Sequence, residues 1–106
     1  MKKINIWFEQ QEVLCVEFAG EYEPNAAWYR PFMTRMRMEL GAKDPTVPHG
    51  WVKRGGGTHG AVWCLGLYSD SLRAVLTPQQ AYTAVVATVY AFNSYPHNLG
   101  IIMESL

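Results

Sequence analysis

The chain has 106 residues, a length that suits a single domain spanning residues 1–106. Its hydrophobic fraction of 49% and aromatic fraction of 13% exclude a disordered chain. Nine basic and nine acidic side chains cancel to a formal net charge of zero. This balance disfavours both a generally basic nucleic-acid binder and an acidic mimic of nucleic acid.

Two segments near the N-terminus alternate between apolar and other residues with the period of two that is typical of β-strands. The first covers residues 4–8 and the second covers residues 14–18, with a short polar segment between them. This pattern predicts a β-hairpin whose turn lies at residues 9–12. Gly20 and Pro24 are expected to end the second strand.

Residues 26–41 have the spacing of an amphipathic helix, and Gly41 lies where a helix commonly ends. Pro31 complicates the start, because proline lacks an amide proton and disfavours helical geometry in the residue before it. The helix could start near Pro31, or it could start after Asn25 and kink. We favour a short irregular first turn followed by a regular helix. Its predicted apolar face consists of Phe32, Met33, Met36 and Leu40.

A second hairpin is predicted after a loop at residues 43–48. Its first strand starts at Trp51, and its second strand covers residues 61–68, with the glycine-rich segment 53–60 forming a long tip. The second strand is apolar on both faces, so we expect a central strand that is covered on both sides.

The strongest local signal marks the start of a second helix. Thr77 can cap the helix, Pro78 suits its first position, and Gln80 can complete a capping box. The helix is expected to run to about Asn93, with Pro96 setting its limit. Residues 99–103 are a candidate for a last short strand.

The resulting order of elements is ββαββα, with the optional final β-strand. Two hairpins and two helices predict an α+β fold, a two-layer sandwich in which both helices pack on one face of an antiparallel sheet.

The second helix belongs to a long segment without charge, since residues 74–103 contain no Asp, Glu, Lys or Arg. A surface helix normally carries charges on its outer face. Here the face opposite the apolar stripe carries Ala84, Ala87 and Ala91. Two interpretations stay open. The helix is buried within its own monomer, or helix 77–95 meets a second copy across a two-fold axis and forms a homodimer.

One segment could bind an anion. Glycine-rich backbone can direct several N–H groups at a phosphate, and flanking cations and hydroxyls can complete such a site. The spacing matches neither a P-loop nor a dinucleotide fingerprint. The alternative, which we favour, is a solvated hairpin tip. The candidate residues for a phosphate or nucleotide are Lys53, Arg54, Gly56, Thr58 and His59.

No residue spacing typical of metal ligation or nucleophilic catalysis occurs, so we expect no metal and no cofactor. Enzymatic activity is disfavoured, and an enzyme that uses His59 or Cys64 is the least favoured hypothesis. Cys15 and Cys64 lie in apolar runs and are expected to be reduced and buried, with a disulfide as the alternative if their strands are neighbours. We find no signal peptide, and the longest apolar stretch is too short to span a bilayer. A cytoplasmic location follows as an expectation.

These observations favour a non-enzymatic interaction domain that binds another protein or a nucleoprotein complex, with inhibition of that partner as one candidate consequence. Small proteins of this kind are often encoded by phages and mobile elements. A phosphate- or nucleotide-binding domain is the alternative, and the neutral net charge disfavours nucleic acid itself. The candidate partner-binding residues are Trp7, Arg30, Arg37, Met38, Ala84, Ala87 and Ala91.

Overall fold

A computed structural model describes residues 2–20, 28–42, 51–54, 62–67 and 76–106. These residues form five strands and two helices, which confirms the predicted order with its final strand. Neither helix within these ranges has the length and apolar character that crossing a bilayer requires. The elements are β1 (Lys2–Glu9), β2 (Val13–Gly20), α1 (Tyr29–Glu39), β3 (Trp51–Arg54), β4 (Val62–Gly66), α2 (Pro78–Asn93) and β5 (Ile102–Ser105).

The strands form one sheet in the order β3-β4-β2-β1-β5. The β1–β2, β2–β4 and β3–β4 pairs are antiparallel, as predicted, whereas β5 runs parallel to β1. The expectation of a purely antiparallel sheet is therefore corrected to a mixed sheet. The cause is the connection through α2, because a strand–helix–strand unit returns the chain in its original direction. As a result, β5 points the same way as β4 and β1.

The first hairpin is confirmed, with β1 and β2 paired along their full length. Its turn is closed by a backbone hydrogen bond of 3.0 Å from the Glu12 N–H to the Glu9 carbonyl. The central residues Gln10 and Gln11 have φ angles of 55° and 59°. Positive φ at both central positions is typical of hairpin turns that normally carry Asn or Gly.

Helix α1 begins at Tyr29, three residues later than the predicted first residue. Pro31 lies in the first turn, where backbone N–H groups have no partner within the helix, so its missing donor breaks no hydrogen bond. The first bond of the helix runs from the Phe32 N–H to the Trp28 carbonyl at 3.1 Å. Gly41 follows the helix with a φ of 83°, which confirms the predicted end.

Helix α2 starts as predicted. The Thr77 hydroxyl accepts a hydrogen bond from the Gln80 N–H at 3.1 Å, and the Gln80 side-chain oxygen accepts one from the Thr77 N–H at 2.9 Å. The helix ends at Asn93, at the predicted residue.

The two helices pack on one face of the sheet and enclose the core, so the two-layer α+β sandwich is confirmed. Alternate strand residues such as Ile4, Leu14 and Leu65 point to this inner face and are fully buried. Phe32 links the layers, because its ring lies 5.7 Å from Phe18 of β2 and 5.7 Å from Phe92 of α2. The strand residues between these buried ones point away from the helices and form the outer face of the sheet.

Candidate functional site

An open groove of about 720 Å³ runs between α1 and the solvent side of α2, and we call it the interhelical groove. One wall consists of Arg35 and Glu39 of α1. The floor and the other wall come from α2 and the turn that follows it: Thr83, Val86, Ala87, Tyr90, Ala91, Ser94, Tyr95, Pro96 and His97.

Two tyrosines dominate the groove. Tyr90 is 75% exposed and Tyr95 is 88% exposed, whereas tyrosine side chains are on average partly buried. The helical period puts Tyr90 on the side of α2 opposite its buried residues. At the end of the helix, the Ser94 hydroxyl donates a hydrogen bond of 2.7 Å to the Tyr90 carbonyl. Helix geometry therefore fixes this aromatic surface outside the core.

The three alanines predicted to form a contact face separate into two environments. Ala84 is only 6% exposed and belongs to the hydrophobic core, so it is not on the surface. Ala87 and Ala91 are half-buried and line the groove. Helix α1 lies close to this side of α2, and the small side chains leave the space that forms the groove.

The groove carries little net charge. Arg35 donates from Nε to the Glu39 carboxylate at 2.9 Å, one turn along α1, so the basic and acidic residues of the wall neutralise each other. Helix α2 contributes no Asp, Glu, Lys or Arg. The groove therefore presents an aromatic and small-residue surface without a dominant charge.

The other candidate partner-binding residues lie in separate places. Arg30 is exposed, while Arg37 is half-buried and its burial lowers the pKa of its guanidinium. Both line a small pocket next to Trp63. Met38 is 48% exposed, outside the apolar face of α1 as predicted. Trp7 is half-buried on the outer face of the sheet, so it does not share a surface with the α1 residues.

The candidate anion site is described only at its first two residues. Lys53 and Arg54 are consecutive in β3, so their side chains point to opposite faces of the sheet and do not converge on one ligand. Arg54 already forms a bidentate ion pair with the Glu9 carboxylate, at 2.9 and 3.1 Å. Gly56, Thr58 and His59 lie outside the described residues.

A cluster on the outer face of the sheet was not expected from the sequence. Cys15 of β2 lies directly opposite Cys64 of β4, and the two sulfur atoms are 3.4 Å apart. The Cys15 Sγ is also 3.5 Å from a Glu9 carboxylate oxygen and 3.5 Å from Arg54 Nη2. We call Glu9, Cys15, Arg54 and Cys64 the outer-face cluster.

The electrostatics of this cluster follow from its contacts. Burial, reinforced by the Cys64 thiol and the Glu9 carboxylate, raises the pKa of Cys15 to about 12. The hydrogen bonds from Arg54 lower the pKa of Glu9, and the same pairing raises the pKa of Arg54. Both cysteines are free thiols. The expected burial is confirmed for Cys15, whereas Cys64 is half-buried.

No protein-family model, curated protein or solved structure matches the chain, so comparison with known proteins does not assign it to a family. The functional argument therefore depends on the groove and the cluster themselves.

Proposed function

We propose that this chain is a non-enzymatic interaction domain that binds another protein through the interhelical groove. The observation that carries the proposal is the exposure of Tyr90 and Tyr95 beside a floor of small residues on a helix without charge. Tyrosine is among the residues most enriched at the energetic centres of protein interfaces. An exposed aromatic surface of this kind is better explained by a partner than by solvent.

The chemistry of the groove supports a partner with an apolar surface. Arg35 and Glu39 pair with each other, so the groove offers no excess charge to phosphates or to an acidic peptide. Small side chains at Ala87 and Ala91 let another backbone approach closely, and the tyrosine rings supply apolar area with a polar end. We infer that the occupant is a protein segment with an apolar face, such as an amphipathic helix.

We place the domain in the cytoplasm, because free thiols persist in reducing compartments. Binding without catalysis acts by covering a surface of the partner, so the expected effect is inhibition, as in the small proteins that phages and mobile elements encode.

The experiment is affinity enrichment from cells of the native source with the tagged chain and matched variants. Tyr90→Ala and Ala87→Glu change the groove, whereas Val52→Thr changes an apolar residue that is 64% exposed on β3. We expect the wild type and Val52→Thr to enrich the same protein, and both groove variants to reduce that enrichment at least about tenfold. Circular dichroism confirms that each variant is folded.

Equal enrichment by the groove variants and the wild type would contradict the proposal. Sedimentation of the purified chain tests whether the partner is a second copy of the chain, and this test needs no cell extract. A dimer that Ala87→Glu dissociates would assign the groove to self-association. Binding of nucleotides by calorimetry, with the groove variants unaffected, would instead support the phosphate-binding alternative.

A further inference from the structure

We propose that Glu9, Cys15 and Cys64 bind a thiophilic divalent cation of the zinc type through two thiolates and one carboxylate. Their ligand atoms all lie within 4.8 Å of one another. The site is on the outer face of the sheet, on the side away from the helices and the interhelical groove. It is therefore independent of the proposed docking surface.

The register of the sheet brings the three ligands together. Cys15 and Cys64 are direct neighbours across the β2–β4 pair, although 49 residues separate them in the chain. Glu9 is at the end of β1, opposite Val13, which puts it diagonal to Cys15 on the same face. Three adjacent strands thus each supply one ligand.

The distances fit a tetrahedral zinc ion. Zinc–sulfur bonds of about 2.3 Å and zinc–oxygen bonds of about 2.1 Å imply ligand separations of about 3.8 Å between sulfurs and about 3.6 Å between sulfur and oxygen. The observed separations are 3.4 Å from Cys15 Sγ to Cys64 Sγ and 3.5 Å from Cys15 Sγ to the Glu9 oxygen. The separation between Cys64 Sγ and the Glu9 oxygen is within 4.8 Å, so side-chain movements of up to about 1.2 Å would bring all three separations to the tetrahedral values.

The charges also fit. Two thiolates and a carboxylate carry three negative charges, which a divalent cation and the Arg54 guanidinium would neutralise together. Arg54 donates to both oxygens of Glu9 and so orients the carboxylate, the role that hydrogen-bonding partners of metal ligands commonly have. Thiolates select zinc, cobalt and cadmium over magnesium and calcium.

The surroundings leave a route for the ion. Cys15 is fully buried, but Cys64 is half-buried and the side chains of Glu9 and Arg54 are about half exposed. A cation can therefore enter from the Glu9 side, where solvent would supply the fourth ligand. Three protein ligands and one solvent position form a tetrahedral coordination that zinc adopts in proteins.

The test is a titration of the reduced full chain with Co²⁺ without oxygen, followed by Zn²⁺. We expect thiolate-to-cobalt absorption that saturates at one ion per chain and disappears when Zn²⁺ displaces the cobalt. Cys64→Ser should abolish this absorption. Glu9→Gln should weaken binding at least about tenfold, while Glu12→Gln, in the same turn, should bind as the wild type does.

A second readout covers variants that fold poorly. Zn²⁺ should raise the melting temperature of the wild type, because a ligand that binds only the folded state stabilises it. Absence of thiolate-to-cobalt absorption while both thiols titrate as reduced would overturn the proposal. So would loss of both thiols to a disulfide between Cys15 and Cys64 under the same conditions, or unchanged affinity in Glu9→Gln.

Discussion

Asn93 connects the end of α2 to the segment that leads into β5, and this connection gives the sharpest stability prediction. Its Oδ1 accepts a hydrogen bond from the Ile101 N–H at 2.6 Å, and its Nδ2 donates to the Ile101 carbonyl at 2.8 Å. Ile101 is buried in the core. The amide side chain therefore satisfies both backbone groups of a buried residue.

Replacing Asn93 by Ala removes both bonds and leaves the two Ile101 backbone groups without these partners. At about 1 kcal/mol for each bond, the expected loss of unfolding free energy is about 2 kcal/mol. An unfolding entropy of about 2.1 cal/mol/K per residue converts this loss into a melting temperature lower by about 9 °C.

Urea denaturation and thermal melting followed by circular dichroism measure the effect. Gln79→Ala on the exposed side of α2 is the matched control and should change stability by less than about 0.5 kcal/mol. Asn93→Asp keeps the acceptor for the Ile101 N–H but places a carboxylate oxygen against the Ile101 carbonyl, so it should also lower stability by more than Gln79→Ala does. An Asn93→Ala loss no larger than that of the control would refute the bidentate contact.

Four further outcomes follow from local geometry. Gln11→Gly should raise the free energy of unfolding by about 0.5 kcal/mol in urea denaturation, because the relief of backbone strain at a φ of 59° exceeds the cost of the added entropy of the unfolded chain. A lower denaturation midpoint would contradict the turn geometry. Thr77→Ala should lower the free energy of unfolding by about 1 kcal/mol, because it removes the hydroxyl that caps helix α2. No change would mean that this cap is absent in solution. Burial raises the pKa of Cys15 to about 12, so at pH 8 Cys15 should react with an alkylating reagent much more slowly than a free cysteine. Rapid alkylation of Cys15 in the folded chain would be inconsistent with its burial. The Glu9 carboxyl should titrate by NMR with a pKa below its ordinary value of 4.5. The stabilisation from its ion pair is therefore present above pH 4.5 and is lost as the pH falls through the lowered pKa. Arg54→Ala should return the pKa of Glu9 toward 4.5.

Local patterns predicted the elements well because their causes are local. The alternation of residues 4–8 and 14–18 reports which side of each strand is buried, and this suffices for the first hairpin. The capping box of Thr77 and Gln80 involves residues three apart, so the sequence contains all of its information. The shift of the α1 start to Tyr29 reflects a first turn that tolerates Pro31.

Features that depend on distant pairing could not be predicted in the same way. The meeting of Cys15 and Cys64 requires the β2–β4 register, which no local pattern specifies. The parallel direction of β5 depends on the path of the chain through α2. The sequence pattern predicts Ala84 on the outer side of α2, but Ala84 is buried because α1 packs beside that part of the helix. The interhelical groove results from the same packing.

The most direct measurement of the proposed function is photo-crosslinking from the groove inside cells. A photoreactive phenylalanine derivative replaces Tyr90 in one variant and Val52 in another, since both side chains are well exposed. The groove proposal predicts one dominant conjugate from position 90 that is absent from position 52, with the mass of the conjugate reporting the partner or a second copy. A conjugate from position 52 with none from position 90 would contradict it.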